Sequence, residues 1–425
     1  MKQILKNTVA SILGWQVRRL RKKTSFITIG VVGSIGKTNT KLAIAEVLEK
    51  KFKVQYQSGN YNDIVSVPLI YFGHSLPSLF SPVAWLKIFI SNEKILGKAY
   101  PYDIVVLELG TDGPGQINAF SKYVSLDYAV ITAITPEHME YFETMEAVVQ
   151  EELSIKNFAK KLIYNTDYID AAYYNQIAEG SVSYAIKNVD ADFHLANIYH
   201  SAQGLEADVK YEKEILLHFA HEVVSSIQLY SVLAAIIVAR ELEMKTTEII
   251  ASIANIRPVS GRLRRLRGIN NSTIIDDTYN SSPAAVEAGL EMLYKLQASQ
   301  KIAILGSMNE LGSMSADAHT EIGKLCDPKH LDLLVTIGAE ANKYTASAAE
   351  ASGCTVKKFD DPYAAGEYLQ SQIKGEAIIF AKGSQNGVFA EEVIKLLLAD
   401  PEDANKLVRQ SPYWMQRKKK GFNKG

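Results

Sequence analysis

Ile27-Thr28-Ile29-Gly30-Val31-Val32-Gly33-Ser34-Ile35-Gly36-Lys37-Thr38 is an apolar, β-branched run that breaks into glycines and ends in Gly-Lys-Thr. From Thr40 to Lys50 the spacing is helical. Leu42, Ile44, Ala45, Val47 and Leu48 share one side, and Lys41, Glu46, Glu49 and Lys50 the other. Strand, glycine loop and helix form the context of a phosphate-binding loop. Glycines let backbone N–H groups approach phosphate oxygens, and the helix N-terminus adds a positive dipole end. Lys37 would reach the β- and γ-phosphates, and the Thr38 hydroxyl would face Mg²⁺. The pattern here is Gly33-x-x-Gly36-Lys37-Thr38; the earlier glycine of the standard motif falls on Val31. A glycine-rich turn with a surface lysine is the competing reading. The agreement of strand, turn and helix signals speaks against it.

The surrounding chain has 425 residues, enough for two or three domains. Its 47% apolar and 22% charged content is that of an ordinary soluble protein. A net charge of -1 gives no argument for a nucleic-acid partner. Cys326 and Cys354 make neither a disulfide framework nor a zinc site and read as buried, reduced thiols of a cytoplasmic protein. No stretch is long and apolar enough to span a bilayer. Residues 1–24 read as a basic amphipathic helix rather than a signal peptide. Their apolar run, Thr8 to Trp15, is short, lacks a small-residue cleavage site, and leads into Arg18, Arg19, Arg21, Lys22 and Lys23. Such a helix either packs on the protein surface or touches an acidic membrane surface.

Further along, Lys53–Gln57 reads as a short strand, Ser58–Asp63 as a polar turn, and Val83–Leu96 as a packing helix. Asp103–Gly110 is a buried strand carrying Glu108 near its end. Tyr128–Ile134 is another, followed by Pro136-Glu137-His138, and Lys161–Asn165 is a third. Alternating strands and helices predict a parallel sheet whose active edge lies at the strand C-termini. Residues 181–222 suggest an antiparallel meander with a turn at Gln203-Gly204, and Ser226–Glu241 returns to a helix. After the linker Arg257–Arg262 the alternation restarts with strands at Ser272, Lys301, Leu333 and Ala377. The reading is therefore an α/β chain. A P-loop domain with a parallel sheet spans 25–257, and a second, Rossmann-like α/β domain spans 258–425. Its basic end, Gln416–Lys420, reads as a solvated, mobile tail.

Several stretches resemble the Mur ligase family of ATP-dependent amide ligases. Gly33–Thr38 is similar to its loop, Glu108-Leu109-Gly110 to its glutamate-ending strand, and Pro136-Glu137-His138 with Glu140 and Phe142 to its histidine segment. Gly261-Arg262, Ile275–Asn280 with Pro283, Gly306–Gly312 with His319, and Lys382-Gly383-Ser384 resemble later motifs. The last two point to the branch that adds D-alanyl-D-alanine. The resemblance implies that ATP phosphorylates a peptidyl carboxylate, and that an amine or dipeptide attacks the acyl phosphate. It implies ATP and Mg²⁺ as cofactors, with Gly33, Ser34, Gly36, Lys37, Thr38, Arg262 and Asp277 on the nucleotide. Lys37, His138 and Glu152 carry the catalysis. Thr38, Glu108, His138 and Glu152 hold metal. Asn60 and Asn62 line the acceptor, and Lys382 and Ser384 the amine. A monomer is expected. Each has a plainer role open to it: Glu108 as a structural acceptor, His138 as a helix cap, Asp276 and Asp277 as turn residues, Arg262 as part of a basic run, His319 as a surface helix residue.

Three features depart from the family. Where it carries a carbamylated lysine this chain has Glu152, which would supply the same charge, with Lys156 a turn away. Its H-N-x-x-N segment aligns with Ile227–Ser231, which leaves the base preference open. Its N-terminal UDP-binding domain has no counterpart in the residues before Ile27, so another acceptor class is possible. A folylpolyglutamate- or cyanophycin-type ligase is the second reading, and a P-loop ATPase switch that forms no amide is the third.

Overall fold

The computed structural model describes residues 2–57, 59, 61–177, 179–201, 204–221, 226–256, 259–385 and 387–422. Asn60, Gln203, Arg257 and Pro258 lie outside them. The chain divides into two units. The first takes in residues 1–135, 141–223 and 227–257; the second takes in 136–140, 224–226 and 258–425.

In chain order the first part runs α1 (Lys2–Lys23), β1 (Ile27–Val32), α2 (Lys37–Leu48), β2 (Val54–Gln55), α3 (Ser66–Tyr71), α4 (Pro82–Leu96), β3 (Ile104–Glu108), α5 (Gln116–Ala119), β4 (Leu126–Ile131), α6 (Met139–Phe142), α7 (Met145–Leu153), β5 (Ala159–Asn165), β6 (Val182–Ala185), β7 (Phe193–Ser201), β8 (Gly204–Tyr211), β9 (Glu214–His221), α8 (Ser226–Glu241) and α9 (Thr246–Ile253). Among the described residues these strands form one sheet ordered β2-β3-β1-β4-β5-β6-β7-β8-β9. Pairing is parallel from β2 to β7 and antiparallel from β7 to β9. The meander expected over 181–222 therefore begins only at Phe193, because Val182–Ala185 pairs parallel with β5. β1 lies between β3 and β4, and Ile29, Val31 and Val32 are fully buried. A strand covered on both faces reads as a continuous apolar run, which is how Ile27–Val32 reads. α8 is buried on every side from Val232 to Ala239 and packs in one core with residues of the parallel strands and of the meander. That suits a helix apolar all round.

The second unit runs β10 (Arg264–Arg267), β11 (Thr273–Asp277), α10 (Pro283–Lys295), β12 (Lys301–Gly306), α11 (Ser315–Leu325), β13 (Leu333–Ile337), α12 (Ala346–Ala351), β14 (Val356–Phe359), α13 (Pro362–Gln370), β15 (Ile378–Lys382), α14 (Glu391–Leu397) and α15 (Pro412–Gly421). Its sheet is ordered β10-β11-β15-β12-β13-β14, parallel except for β10. The basic run at Arg264 is thus an edge strand, where charged side chains blunt further pairing.

The expected mobile tail is instead α15. Lys418 is fully buried and donates to Glu391 Oε1 (2.8 Å) and Glu392 Oε1 (2.6 Å). Arg409 pairs with the same Glu391 (2.6 Å) and donates to the carbonyls of Thr278 and Tyr279, so the network ties α15 to the loop after β11. Two buried carboxylates demand such cations. Lys418→Ala leaves them short of one and is expected to cost about 3–5 kcal/mol in denaturant unfolding. A loss below about 1 kcal/mol would show a tail that merely lies on the surface.

Candidate active site

In the first unit the loop after β1 is held by its neighbour β4. Ser34 N–H donates to Ala133 O (2.9 Å), Ser34 Oγ to Thr135 O (2.9 Å), and Thr132 Oγ1 to Ile35 O (2.6 Å). Gly33 has φ +124°, and a Cβ there would sit 2.4 Å from Thr132 Oγ1 and 2.7 Å from Ala133 O. Gly36 caps α2 with φ 84°. Both positions exclude other residues, on grounds of space at the first and of backbone conformation at the second. The Lys37 ammonium folds back on Gly33 O.

Beneath the loop stands Glu108. The register pairs it with Val31, two residues before Gly33. Its carboxylate is 2% exposed; Oε1 accepts from Thr38 Oγ1 (3.2 Å), and Oε2 faces Lys41 Nζ (3.1 Å). Lys41 also donates to Gly59 O (3.0 Å) and is fully buried. The sequence reading put Lys41 on the outer side of α2, which the structure corrects. α2 is buried nearly all round from Thr38 to Ala45, and Lys41 follows Thr38 at the i+3 spacing that shares a helix face. That spacing was the available signal for a residue otherwise missed. Asn62 packs beside the same strand end, its carbonyl accepting from Gly110 N–H (2.8 Å).

A carboxylate and a hydroxyl are the hard oxygen donors that Mg²⁺ takes, so Thr38 and Glu108 fit that ion. No group of three or more His, Cys, Asp and Glu is gathered as a metal cage among the described residues. Glu152 is buried on α7. Its neighbour Glu151 accepts from the N–H groups of Gly115 and Ile117 at 2.6 Å each and so holds the start of α5. Lys156 donates to Gln176 O (2.8 Å). A recess beside Gly36 is lined by Asn165, Tyr168, Tyr230 and Ser231. Tyr230 Oη donates to Asp167 Oδ2 (2.6 Å), and Ser231 Oγ lies 3.0 Å from Thr40 Oγ1. The altered segment Ile227–Ser231 therefore reaches the phosphate loop through Tyr230 and Ser231.

In the second unit the strand ends of β11 and β15 are in register, Asp277 beside Lys382. Their side chains form a buried pair at 2.6 Å, and Lys382 also donates to Asn280 O (2.9 Å). The sequence reading gave these two residues to different ligands; the structure joins them. Burial pushes the Asp277 carboxyl up and the Lys382 ammonium down, against their mutual attraction. Asp276 is a turn residue: it accepts from Gly261 N–H (3.0 Å) and from Thr278 Oγ1 (2.6 Å), and burial raises its carboxyl to about 6. Arg262 lies over the Tyr279 ring at 4.2 Å. Ser384 Oγ accepts from Asn309 N–H (2.9 Å).

His319 is not the surface residue that its helix suggested. It is buried, its Nδ1 donating to Ser315 O (2.8 Å) and its Nε2 accepting from Met308 N–H (2.9 Å). Those bonds need the neutral ring, and burial lowers its pKa accordingly. His138, in the segment grouped with this unit, has φ 51° and lies 2.8 Å from Glu310 Oε2 and 3.2 Å from Glu137 Oε1. Burial opposes its charge, but the two carboxylates outweigh it and hold the imidazole up to about 10.

The Mur ligase middle-domain model matches residues 84–239 and the Mur ligase glutamate-ligase-domain model residues 261–385, together about two thirds of the chain. The UDP-N-acetylmuramoyl-tripeptide–D-alanyl-D-alanine ligase of Bacillus subtilis (strain 168) is 26% identical over 386 residues, covering 88% of this chain and 76% of its own length. The enzyme of that name from Escherichia coli (strain K12) is 23% identical over 391 residues, covering 89% and 78%. Among solved structures, MurF from Acinetobacter baumannii superposes with TM-score 0.75 at 20% identity, over 92% of this chain and 79% of that one. MurF from Thermotoga maritima in complex with ADP gives 0.74 at 22% identity, over 94% and 83%.

The Glu108–Lys41 pair can be tested by a double-mutant cycle. Lys41→Met strands a buried carboxylate and is expected to cost about 3–5 kcal/mol. Adding Glu108→Gln should restore part of it, with a coupling of about 0.5–3 kcal/mol in denaturant unfolding. Strict additivity would mean that the two side chains do not interact.

Proposed function

The chain belongs to the Mur ligase family, and we propose that it is an ATP-dependent amide ligase of peptidoglycan-precursor synthesis. It adds D-alanyl-D-alanine to the free carboxylate of a muropeptide, as the names of its relatives suggest. The observation that carries this reading is the buried Thr38–Glu108–Lys41 group beneath the glycine loop. Thr38 and Glu108 are the oxygen donors of a Mg²⁺ site at such a loop, and buried Lys41 adds a fixed positive charge beside them. Positive charge concentrated there suits transfer of a phosphoryl group from one anion to another.

The reaction follows in two steps. An acceptor carboxylate oxygen attacks the γ-phosphorus, and the bond to ADP breaks. The amine then attacks the acyl carbon, a C–N bond forms, phosphate leaves, and the amine proton passes to a base. Phosphoryl transfer depends mostly on positioning and charge neutralisation. Gly33, Ser34 and Gly36 offer backbone N–H groups, and Lys37 exchanges Gly33 O for the β- and γ-phosphates. Thr38 and Glu108 would hold Mg²⁺, and His138 and Glu152 are the further metal ligands proposed, His138 only once it gives up the proton that Glu137 and Glu310 stabilise. The metal would supply positive charge that offsets the repulsion of the two reacting anions. Arg262 adds charge for the nucleotide and Asp277 accepts from its ribose. Asn60 and Asn62 serve the acceptor, and Lys382 and Ser384 the amine.

Phosphate release from ATP is measured with a tripeptide acceptor and D-alanyl-D-alanine, singly and together. Release is expected only with both, and Lys37→Ala or Glu108→Gln should lower kcat/KM at least about a hundredfold. Release that needs neither substrate would mark an ATPase switch instead.

A further inference from the structure

In the first unit, α1 and α4 leave one apolar face uncovered. On α1, Val9, Leu13, Val17 and Leu20 are buried, while Ile4, Leu5, Ile12 and Trp15 are exposed. At 3.6 residues per turn the exposed four fall within an arc of about 100°. α4 repeats the pattern: Trp85, Ile88 and Leu96 are buried, while Val83, Leu86 and Ile90 are exposed, Leu86 at 59%. Phe80, just before α4, is 67% exposed.

The two helices run side by side in the same direction. Gln16 Nε2 donates to Phe89 O (3.1 Å), Arg19 pairs with Glu93 (2.7 Å), and Lys23 donates to Leu96 O (3.1 Å). This ladder puts Ile12 and Trp15 at the height of Leu86 and Ile90. On each helix, turning from the buried face past the side that meets the other helix leads to the exposed stripe. The two stripes therefore border one outer groove. A continuous apolar patch of this kind marks an interaction surface rather than scattered exposure.

The charge says what covers it. α1 contains seven Lys and Arg and no Asp or Glu, in a chain whose net charge is -1. Five of the seven follow directly after the apolar turns: Arg18, Lys22 and Lys23 are exposed, Arg19 is paired with Glu93, and Arg21 turns inward to Thr28 Oγ1 (2.8 Å). Lys94 and Lys98 stand at the matching end of α4, and the nearby acid Glu93 is already paired with Arg19. Arg19 also covers the Trp15 ring at 4.4 Å, so base and apolar stripe are continuous. No helix among the described residues is long and apolar enough to cross a membrane. Apolar and aromatic side chains beside a run of bases, on one helix too charged and one too short to span, are the pattern of an interfacial surface.

We propose that the α1–α4 face docks the protein on an anionic lipid bilayer. The helices lie in the interface, with Ile12, Trp15, Leu86 and Ile90 in the acyl boundary and the basic helix ends on headgroup phosphates. This surface does not depend on the ligase reaction and stands or falls separately from it.

The test is co-sedimentation of the full chain with vesicles of phosphatidylglycerol and phosphatidylcholine in equal parts, and with phosphatidylcholine alone. Binding is expected on the anionic vesicles, weaker on the neutral ones, and falling as salt rises. Leu86→Gln/Ile90→Gln should lower the bound fraction about tenfold while the melting temperature holds. Vesicles should shift tryptophan emission to the blue, and Trp15→Phe should abolish the shift but keep the binding. Absence of co-sedimentation would overturn the proposal, as would binding untouched by the double substitution. So would a concentration-dependent dimer, seen by light scattering without lipid and removed by the same substitutions, since the face would then belong to a second copy.

Discussion

A carboxylate buried at the end of a central strand has to be paired, and Glu108 is paired twice. Its position is set by β3 lying next to β1, which brings the side chain below the glycine loop. Its partners, Thr38 and Lys41, sit on the first turns of the helix that leaves this loop. Strand order, loop and helix orientation therefore answer to one charge. Removing such a charge from water costs several kcal/mol, which only close partners offset. The arrangement places a fixed negative group and a fixed positive one within reach of whatever the loop binds.

The second unit uses the same device for its loops. Asp277 and Lys382 close the ends of neighbouring strands, and Glu391 with Arg409 and Lys418 anchors the turn after β11. His319, held neutral by its two bonds, pins the loop that carries Met308. Loops bearing function need rigid support, because a displacement of about an ångström is costly to catalysis. In this unit the support consists of buried polar bonds rather than apolar packing alone.

Much of the fold was legible. β1, β3, β4, β5, α8 and β13 are apolar runs or helical repeats bounded by clear breaks, and alternation of strand and helix implies parallel pairing. What could not be read was decided by contacts distant in sequence. Periodicity put Lys41 with the polar residues of α2, since nothing local announces that Glu108 waits on another strand. That Asp277 and Lys382 pair with each other could not be read, since it is a matter of strand register. The lysines near the C-terminus looked like a solvated tail, since Glu391 and Glu392 read only as helix-surface acids. At 151–152, alignment singled out Glu152, and that its neighbour Glu151 holds the N-terminus of α5 is visible only in the geometry. Val182–Ala185 was merged with the meander because a four-residue strand carries too few positions to show its partner's direction.

The claim on which this account rests is that phosphate passes to the acceptor carboxylate before the amide forms. The direct measurement labels that carboxylate with ¹⁸O and follows the label through one turnover with ATP and D-alanyl-D-alanine. The account predicts one labelled oxygen in the phosphate released, since the acyl phosphate breaks at the carbon–oxygen bond. Phosphate without label, with the expelled carboxylate oxygen found in water or in the nucleotide instead, would contradict it.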